Sequence, residues 1–126
     1  MPLILQKYIL RADLKANPEA LYAFGDNEER RGFGGQAAEM RGEPNAIGIA
    51  TLKAPHIFWT DNDLADNIDV IDDDIHPLLD ALAAGRVVVF PLDGVGTGLA
   101  RLQERAPRTF AHLQARGAEL NAKGRL

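Results

Sequence analysis

The chain has 126 residues, 46% of them hydrophobic, with a net charge of −4 at pH 7 and no cysteine. This length predicts one domain, residues 1–126, with a core of its own, and the missing cysteine excludes disulfides, thiolate metal sites and a thiol nucleophile. The acidic balance argues against a protein that coats a nucleic-acid backbone, because such proteins present a basic face to the phosphates.

The apolar segments indicate a soluble cytoplasmic protein. Residues 1–10 carry Gln6 and Lys7 within a short apolar stretch and lack the pattern of a signal peptide. No apolar run approaches the roughly 20 residues that span a bilayer. We therefore expect partners that include neither a membrane nor a nucleic acid, while the oligomeric state stays open.

Short apolar runs and turn residues predict the elements of the first half of the chain. Asn17-Pro18 predicts a turn, and Gly42 is placed to end a helix over residues 35–41. The run at residues 20–24 is uninterrupted, as in a buried strand, and ends at Gly25-Asp26-Asn27. Residues 3–5 and 8–10 predict one or two short strands, and further strands are predicted at residues 20–24, 46–51 and 57–59.

The segment from Asp61 to Asp74 contains seven aspartates. Such a density of carboxylates fits either a site for a hard cation or a solvated acidic helix face or loop. The EF-hand pattern is absent, and the three histidines form no pair at helical spacing, so we predict no metal site. The neighbouring Phe58 and Trp59 fit either a stack on a nucleotide base or a place in the core, and we favour the core.

Helical and strand patterns alternate in the second half as well. Apolar residues at 75, 78, 79 and 82 form the stripe of a helix that Gly85 ends, and residues 86–92 give the clearest strand. A helical turn is expected at 99–104, followed by a last helix that starts near Pro107 and turns Phe110, Leu113 and Leu120 inward, with a frayed tail at 121–126. This alternation predicts an α/β fold with helices on both faces of a sheet.

Two glycine-rich turns each follow a predicted strand, and we call them the first glycine loop (residues 32–36) and the second glycine loop (residues 93–98). Glycine lets backbone N–H groups converge on an anion, so two such loops predict a phosphate-bearing ligand. The second loop has neither the G-x-G-x-x-G spacing of dinucleotide folds nor the Gly-Lys-Ser/Thr of a P-loop. The familiar nucleotide motifs therefore do not explain the pattern.

Asp13-Leu14 precedes the two loops, and Asn27 follows Asp13 by fourteen residues. This ordered set of motifs resembles the macro domain, the ADP-ribose-binding fold, in which Asp-Ile stands at the place of Asp13-Leu14 and the separation is similar. The glycines of the first loop come next, and Val95-Gly96-Thr97-Gly98 matches the later Gly-Thr-Gly loop of the family. The chain is similar to a short, divergent macro-like protein of phage or bacterial type.

The resemblance implies a three-layer fold with a mixed sheet, no cofactor, and an ADP-ribose-like small molecule as partner. In the family pattern Asp13 would accept from the adenine amino group, Asn27 would contact the distal ribose, and Gly34 and Gly35 would approach that ribose and its phosphate. The second loop would wrap the diphosphate. The implied ligand-binding residues are Asp13, Asn27, Gly34, Gly35, Gln36, Gly94, Val95, Gly96, Thr97 and Gly98.

Two functions fit this resemblance: binding of ADP-ribose or a related nucleotide diphosphate, or hydrolysis of ADP-ribosyl bonds or ADP-ribose phosphate esters. The family's Asn-Ala-Ala-Asn is replaced by Phe24-Gly25-Asp26-Asn27, which loses one amide and gains a carboxylate. Asp26 and Asn27 are the candidate catalytic residues, with Asp26 as a general base on water. Asp26 also suits local turn chemistry, which we favour. A serine triad is excluded, since the chain has no serine.

Overall fold

The computed structural model describes residues 3–98 and 100–124. The strands are β1 (Leu3–Gln6), β2 (Leu21–Asn27), β3 (Ala46–Ala54), β4 (Ile57–Phe58) and β5 (Val88–Pro91). The helices are α1 (Arg11–Ala16), α2 (Ala37–Met40), α3 (Leu64–Ala83), α4 (Leu102–Arg105) and α5 (Pro107–Gly124), and a 3-10 turn spans Asp61–Asp63.

The five strands form one mixed sheet in the order β1-β5-β2-β3-β4. Pairing is parallel between β1 and β5, between β5 and β2, and between β2 and β3, whereas β4 pairs antiparallel with β3 at the edge. The predicted α/β class is thus confirmed. Parallel pairing brings the carboxyl ends of β1, β5, β2 and β3 to the same edge of the sheet, where the loops that follow them meet.

Alternate residues of β2 contribute to two separate hydrophobic clusters, as the twofold repeat of a strand requires. Tyr22 and Phe24 pack in a cluster with Leu14 of α1 and Met40 of α2. Leu21 and Ala23 belong to a larger cluster with α3, α4 and α5. Helices therefore cover both faces of this central strand.

The predicted strand at residues 8–10 is wrong. Pairing of β1 with β5 ends at Gln6, whose carbonyl accepts from Leu92 N at 3.0 Å. The chain then turns into α1, and Ile9 is buried in the cluster of Tyr22 and Phe24. The short apolar run reflects this core contact, which periodicity cannot distinguish from a strand.

The acidic segment is largely helical, which is one of the alternatives for it, and the C-terminus is more helical than expected. Helix α3 begins at Leu64, so most of the aspartates lie on a helix that continues into the predicted apolar stripe. Helix α5 begins at Pro107 as predicted and continues to Gly124, so residues 121–124 are helical instead of frayed. The last two residues of the predicted tail, and Leu99 of the predicted helical turn, lie outside the described residues. No helix in the described ranges combines the length and apolar composition that a membrane crossing requires.

Candidate functional site

The sheet opens between β2 and β5 at their carboxyl ends. These strands pair only at Leu21↔Val88 and Tyr22↔Val89. By contrast, β5 stays paired with β1 as far as Pro91, and β2 stays paired with β3 as far as Asn27. The two central strands therefore separate, which leaves a crevice of the kind in which open α/β sheets bind ligands.

A cavity of about 700 Å³ occupies this crevice and brings the two glycine loops together. Its lining comes from residues that follow or end β2, β3 and β5, namely 25–27, 31–37, 41, 51–52, 55–56, 58, 91, 94–98 and 100. Every predicted site residue except Asp13 lies in this lining. The volume is in the range of small-molecule sites.

Asn27 and Gln36 each present a buried side-chain carbonyl oxygen that has no partner among the described residues. Asn27 is only 6% exposed, and its Nδ2 donates to the Arg31 carbonyl at 2.7 Å. That bond fixes the orientation of the amide, so Oδ1 is the atom left unpaired. Gln36 Oε1 is buried and unpaired as well, and both residues line the cavity. The cavity therefore contains two hydrogen-bond acceptors for which the described residues supply no donor.

The Asp26 carboxylate is held by the protein. Its side chain is 3% exposed and forms an ion pair with Arg41, and Arg30 Nη1 lies 3.8 Å from Oδ2. Oδ1 also accepts from the Asn27 backbone N–H at 2.8 Å. A Cβ at Gly48 on the neighbouring strand would lie 2.9 Å from the Asp26 Cβ, so only glycine leaves room for this side chain.

Packing and backbone hydrogen bonds shape the second glycine loop. The Val95 side chain is buried in the larger core cluster, and Leu102 N donates to the Gly96 carbonyl at 2.9 Å. Gly96 has φ +79°, and a Cβ there would lie 3.1 Å from Leu102 Cδ2 and 3.2 Å from Thr51 Cγ2. In the described ranges, the N–H groups of Val95, Gly96 and Thr97 donate to no protein acceptor.

Asp13 lies at the first turn of α1 and outside the cavity lining. Its Oδ2 accepts from the Leu10 backbone N–H at 2.9 Å and from Gln6 Nε2 at 3.0 Å. These bonds satisfy an N–H group at the start of the helix, which is the usual work of an acidic residue in a first turn. Asp13 therefore binds neighbouring residues of its own segment, and the structure does not bring it together with the other predicted site residues.

The aromatic residues near β4 divide between core and cavity. Trp59 is buried, and its Nε1 donates to Glu28 Oε2 at 2.8 Å, so its predicted place in the core is confirmed. Phe58 lines the cavity instead, with the Arg105 guanidinium 4.4 Å above its ring.

Several aspartates of the acidic segment act as caps or ion-pair partners. Asp61 accepts from Arg108 N and Thr109 N at the start of α5. Burial raises the pKa of Asp61, but the hydrogen bonds have the larger combined effect, so its pKa lies below the usual value. The hydrogen bond from Arg116 lowers the pKa of Asp72. The described residues contain no group of three acidic, histidine or cysteine side chains that could hold a metal ion.

Sequence reasoning missed Arg41, Gly48 and Thr51. Gly48 interrupts an apolar strand run, and such a glycine is a signal of close approach by another group. Thr51 is buried, and its Oγ1 donates to the Asp26 carbonyl at 3.3 Å. Arg41 had no local signal, because its partners are nine to fifteen residues away in sequence.

A comparison with protein-family models found one that matches residues 4–116, described as a family of unknown function (DUF7831). The chain belongs to this family. Both glycine loops, Asp26 and Arg41 lie within the matched range, so the cavity belongs to the DUF7831 region of the chain. A comparison with curated proteins found no match, and a comparison with solved structures found none either.

Proposed function

We propose that this DUF7831 protein binds ADP-ribose or a related nucleotide diphosphate between its two glycine loops. The observation that carries the proposal is their convergence on one cavity of about 700 Å³ at the carboxyl ends of β2 and β5. Within the described residues, the N–H groups of Val95, Gly96 and Thr97 in the second loop donate to no protein acceptor. Such groups bind phosphate oxygens without any basic side chain, which agrees with the net charge of −4.

The unpaired oxygens of Asn27 and Gln36 favour a ligand that also carries hydroxyl groups. A buried acceptor without a donor costs about 1–3 kcal/mol, so a ligand that supplies the donor gains affinity. The hydroxyl groups of a ribose are suitable donors, and Gln36 belongs to the first loop, where the macro-domain resemblance expects the distal ribose. The sugar and the diphosphate thus match different parts of one lining.

The finer fold in this proposal is a three-layer, macro-like arrangement. Supporting it are the parallel strands β2 and β5, which lead into the two loops, and the helices on both sides of β2. The position of Asp13 departs from the family pattern, because it lies outside the lining. We therefore propose no role for Asp13 in reading the base.

Binding is the function we favour over hydrolysis. A general base needs an oxygen free to take a proton from water. The Asp26 carboxylate already accepts from Arg41 and from the Asn27 N–H, and it lies close to Arg30. These partners suit a structural anion better than a base.

Calorimetric titration with ADP-ribose, followed by ADP, tests the proposal. We expect saturable binding of ADP-ribose with a rise in Tm, and binding of ADP that is about tenfold weaker because it lacks the second ribose. Absence of heat and of thermal stabilisation at millimolar ADP-ribose would refute the ligand. Chromatography of the ligand after incubation detects hydrolysis, and turnover that disappears in Asp26→Asn would restore the enzymatic alternative.

Gln36→Leu tests the hydroxyl-reading part of the proposal. One lost hydrogen bond of about 1 kcal/mol predicts about fivefold weaker binding of ADP-ribose, with little change for ADP. Gln114→Leu, at an exposed position of α5, is the matched control and should bind as the wild type does. Equal losses for both ligands in Gln36→Leu would show that this side chain does not contact the distal sugar.

A further inference from the structure

The guanidinium of Arg41 lies between strand β2 and the first glycine loop. On the strand side it forms the ion pair with Asp26 and lies 5.6 Å above the ring of Phe24. Phe24 and Asp26 are two residues apart on the strand and so present their side chains on the same face. The Arg41 side chain is only 17% exposed, so this arrangement is largely shielded from water.

On the loop side, Arg41 binds carbonyl oxygens. Its Nε donates to the Gly32 carbonyl at 2.7 Å, and Nη2 donates to the Arg31 carbonyl at 3.2 Å. Asn27 Nδ2 donates to the same Arg31 carbonyl. Gly32 has φ +91°, a conformation that non-glycine residues rarely adopt. The two peptide groups that open the loop are therefore fixed by side chains.

Fixing these carbonyls also fixes the N–H groups of the same peptides. In a planar trans peptide the C=O and N–H bonds point in opposite directions. Since the carbonyls of Arg31 and Gly32 point at Arg41, the N–H groups of Gly32 and Phe33 point away from it. Across the described parts of the chain, neither N–H donates to a protein acceptor.

The positive charge of Arg41 is neutralised by a neighbouring carboxylate. Asp26 neutralises Arg41, and Arg30 forms a two-bond ion pair with Asp74 at 2.7 and 2.8 Å. These four side chains have no net charge. An anion at the first loop would therefore bind mainly to oriented peptide N–H groups, and not to an unneutralised arginine.

We infer that Arg41 is a positioning residue, which holds the first glycine loop in its ligand-binding conformation through Asp26 and the Arg31 and Gly32 carbonyls. This inference deepens the proposed function and rests on it for the identity of the ligand. The fork of the guanidinium is essential, because it serves a carboxylate and two carbonyls at once. A lysine would keep the charge and lose that geometry.

The test compares Arg41→Lys and Arg41→Gln with wild type, and uses Arg116→Lys as a matched control. Arg116 also forms ion pairs, with Asp72 and Glu119, but lies outside the cavity lining. Affinity for ADP-ribose is measured by calorimetry, Tm by thermal unfolding, and order of the loop by backbone ¹⁵N relaxation. We expect both Arg41 variants to bind at least about tenfold more weakly, whereas Arg116→Lys binds normally even if its Tm falls.

Two results of the affinity measurements would overturn the inference. Wild-type affinity in Arg41→Lys would show that the charge suffices, and a fall in Tm with unchanged affinity would show that Arg41 only stabilises the fold. If Arg41→Gln fails to fold, Arg41→Lys and Asp26→Asn carry the same comparison, because Asp26→Asn removes the carboxylate while keeping the side-chain volume.

Loop order separates this inference from the choice of ligand. In the Arg41 variants without ligand, order parameters of residues 32–36 should fall from about 0.85 towards 0.6, while those of residues 94–97 stay high. Wild type that fails to bind ADP-ribose, with this loss of order in the variants, would refute the ligand and retain the positioning role. Unchanged order in the Arg41 variants would refute the positioning role whatever the ligand.

Discussion

The two glycine loops line one cavity but are held in different ways. The first loop is fixed by polar side chains, since Arg41 and Asn27 bind its opening carbonyls. The second loop is fixed by packing, because Val95 is buried in the core and Gly96 lies against Leu102 and Thr51. Similar glycine patterns in the sequence therefore depend on different physical interactions.

The difference predicts different sensitivities for the two loops. Polar clamps fail when a partner is displaced or a charge is left without its pair, and the cost is largest where the pair is buried. Packed loops fail when volume is added, because protein interiors have little free space. Substitutions that act on only one of these supports separate the loops experimentally.

Gly48→Ala should have the largest effect, through the first loop. The added Cβ would lie 2.9 Å from the Asp26 Cβ and closer still to its carboxylate. Displacing Asp26 breaks its pair with Arg41, and disruption of a buried pair costs about 3–5 kcal/mol of unfolding free energy. Urea unfolding measures this loss.

Gly25→Ala is the control for this prediction, because it adds the same methyl group to the adjacent strand. A Cβ at Gly25 would lie 3.6 Å from the Val95 Cβ, an ordinary contact. Its unfolding free energy should stay within about 0.5 kcal/mol of wild type. Equal stabilities of the two variants would mean that Asp26 adjusts freely, and the contrast between the loops would lose its basis.

Gly96→Val should damage the second loop through its packing. The side chain would meet Leu102 and Thr51 at 3.1–3.2 Å, and the residue has φ +79°. Overpacking together with left-handed strain predicts a loss of about 2–3 kcal/mol in unfolding free energy. Relaxation of residues 32–36 should be unaffected, since the clamp of the first loop is intact. Loss of order in both loops would show that they form one cooperative unit.

Gly98→Val tests the second loop as a phosphate site without disturbing its packing. A Cβ at Gly98 would meet no atom of the described residues beyond its chain neighbours within 4 Å, and its φ lies outside the left-handed range. We expect unchanged stability and about tenfold weaker binding of ADP-ribose, because Gly98 lines the cavity and a larger side chain there leaves less room for the ligand. This variant separates binding from folding, which Gly96→Val cannot do. Unchanged affinity would reject the second loop as a contact for the diphosphate.

Patterns of single elements predicted most of the fold. Uninterrupted apolar runs correctly located β2 and β5, and Pro107 marked the start of α5. The prediction failed at residues 8–10, where Ile9 is buried by packing against α1 and α2 instead of by pairing in the sheet. Strand pairing and core contact both select apolar residues, so composition alone does not separate them.

The structure brings the predicted site residues together where glycine marked a loop, and sequence reasoning missed the residues whose contacts join distant parts of the chain. The convergence of the two loops follows from parallel strands that end at one edge, which the order of motifs had indicated. The pairing of Asp26 with Arg41 and the space provided by Gly48 depend on how β2, β3 and α2 are placed in three dimensions. For Asp13 the motif was misleading, because its side chain caps the start of α1 and does not line the cavity.

Asp72→Asn is expected to have the smallest effect and acts on neither loop. Arg116 lowers the pKa of Asp72 in the folded protein, so the ionised carboxylate stabilises the fold at pH values above its unfolded pKa of about 3.9. That stabilisation is lost as the pH falls through the lower folded pKa.

Because the pair is one third exposed to solvent, the loss of unfolding free energy in Asp72→Asn at pH 7 should be at most about 1 kcal/mol. Urea unfolding from pH 7 to pH 3 should show the gap between wild type and variant closing with acid, whereas Asp69→Asn, on the same helix and exposed, gives no gap. A gap that widens with acid would contradict the lowered pKa of Asp72. Altered affinity for ADP-ribose in Asp72→Asn would show that the ion pair between Asp72 of α3 and Arg116 of α5 affects the cavity.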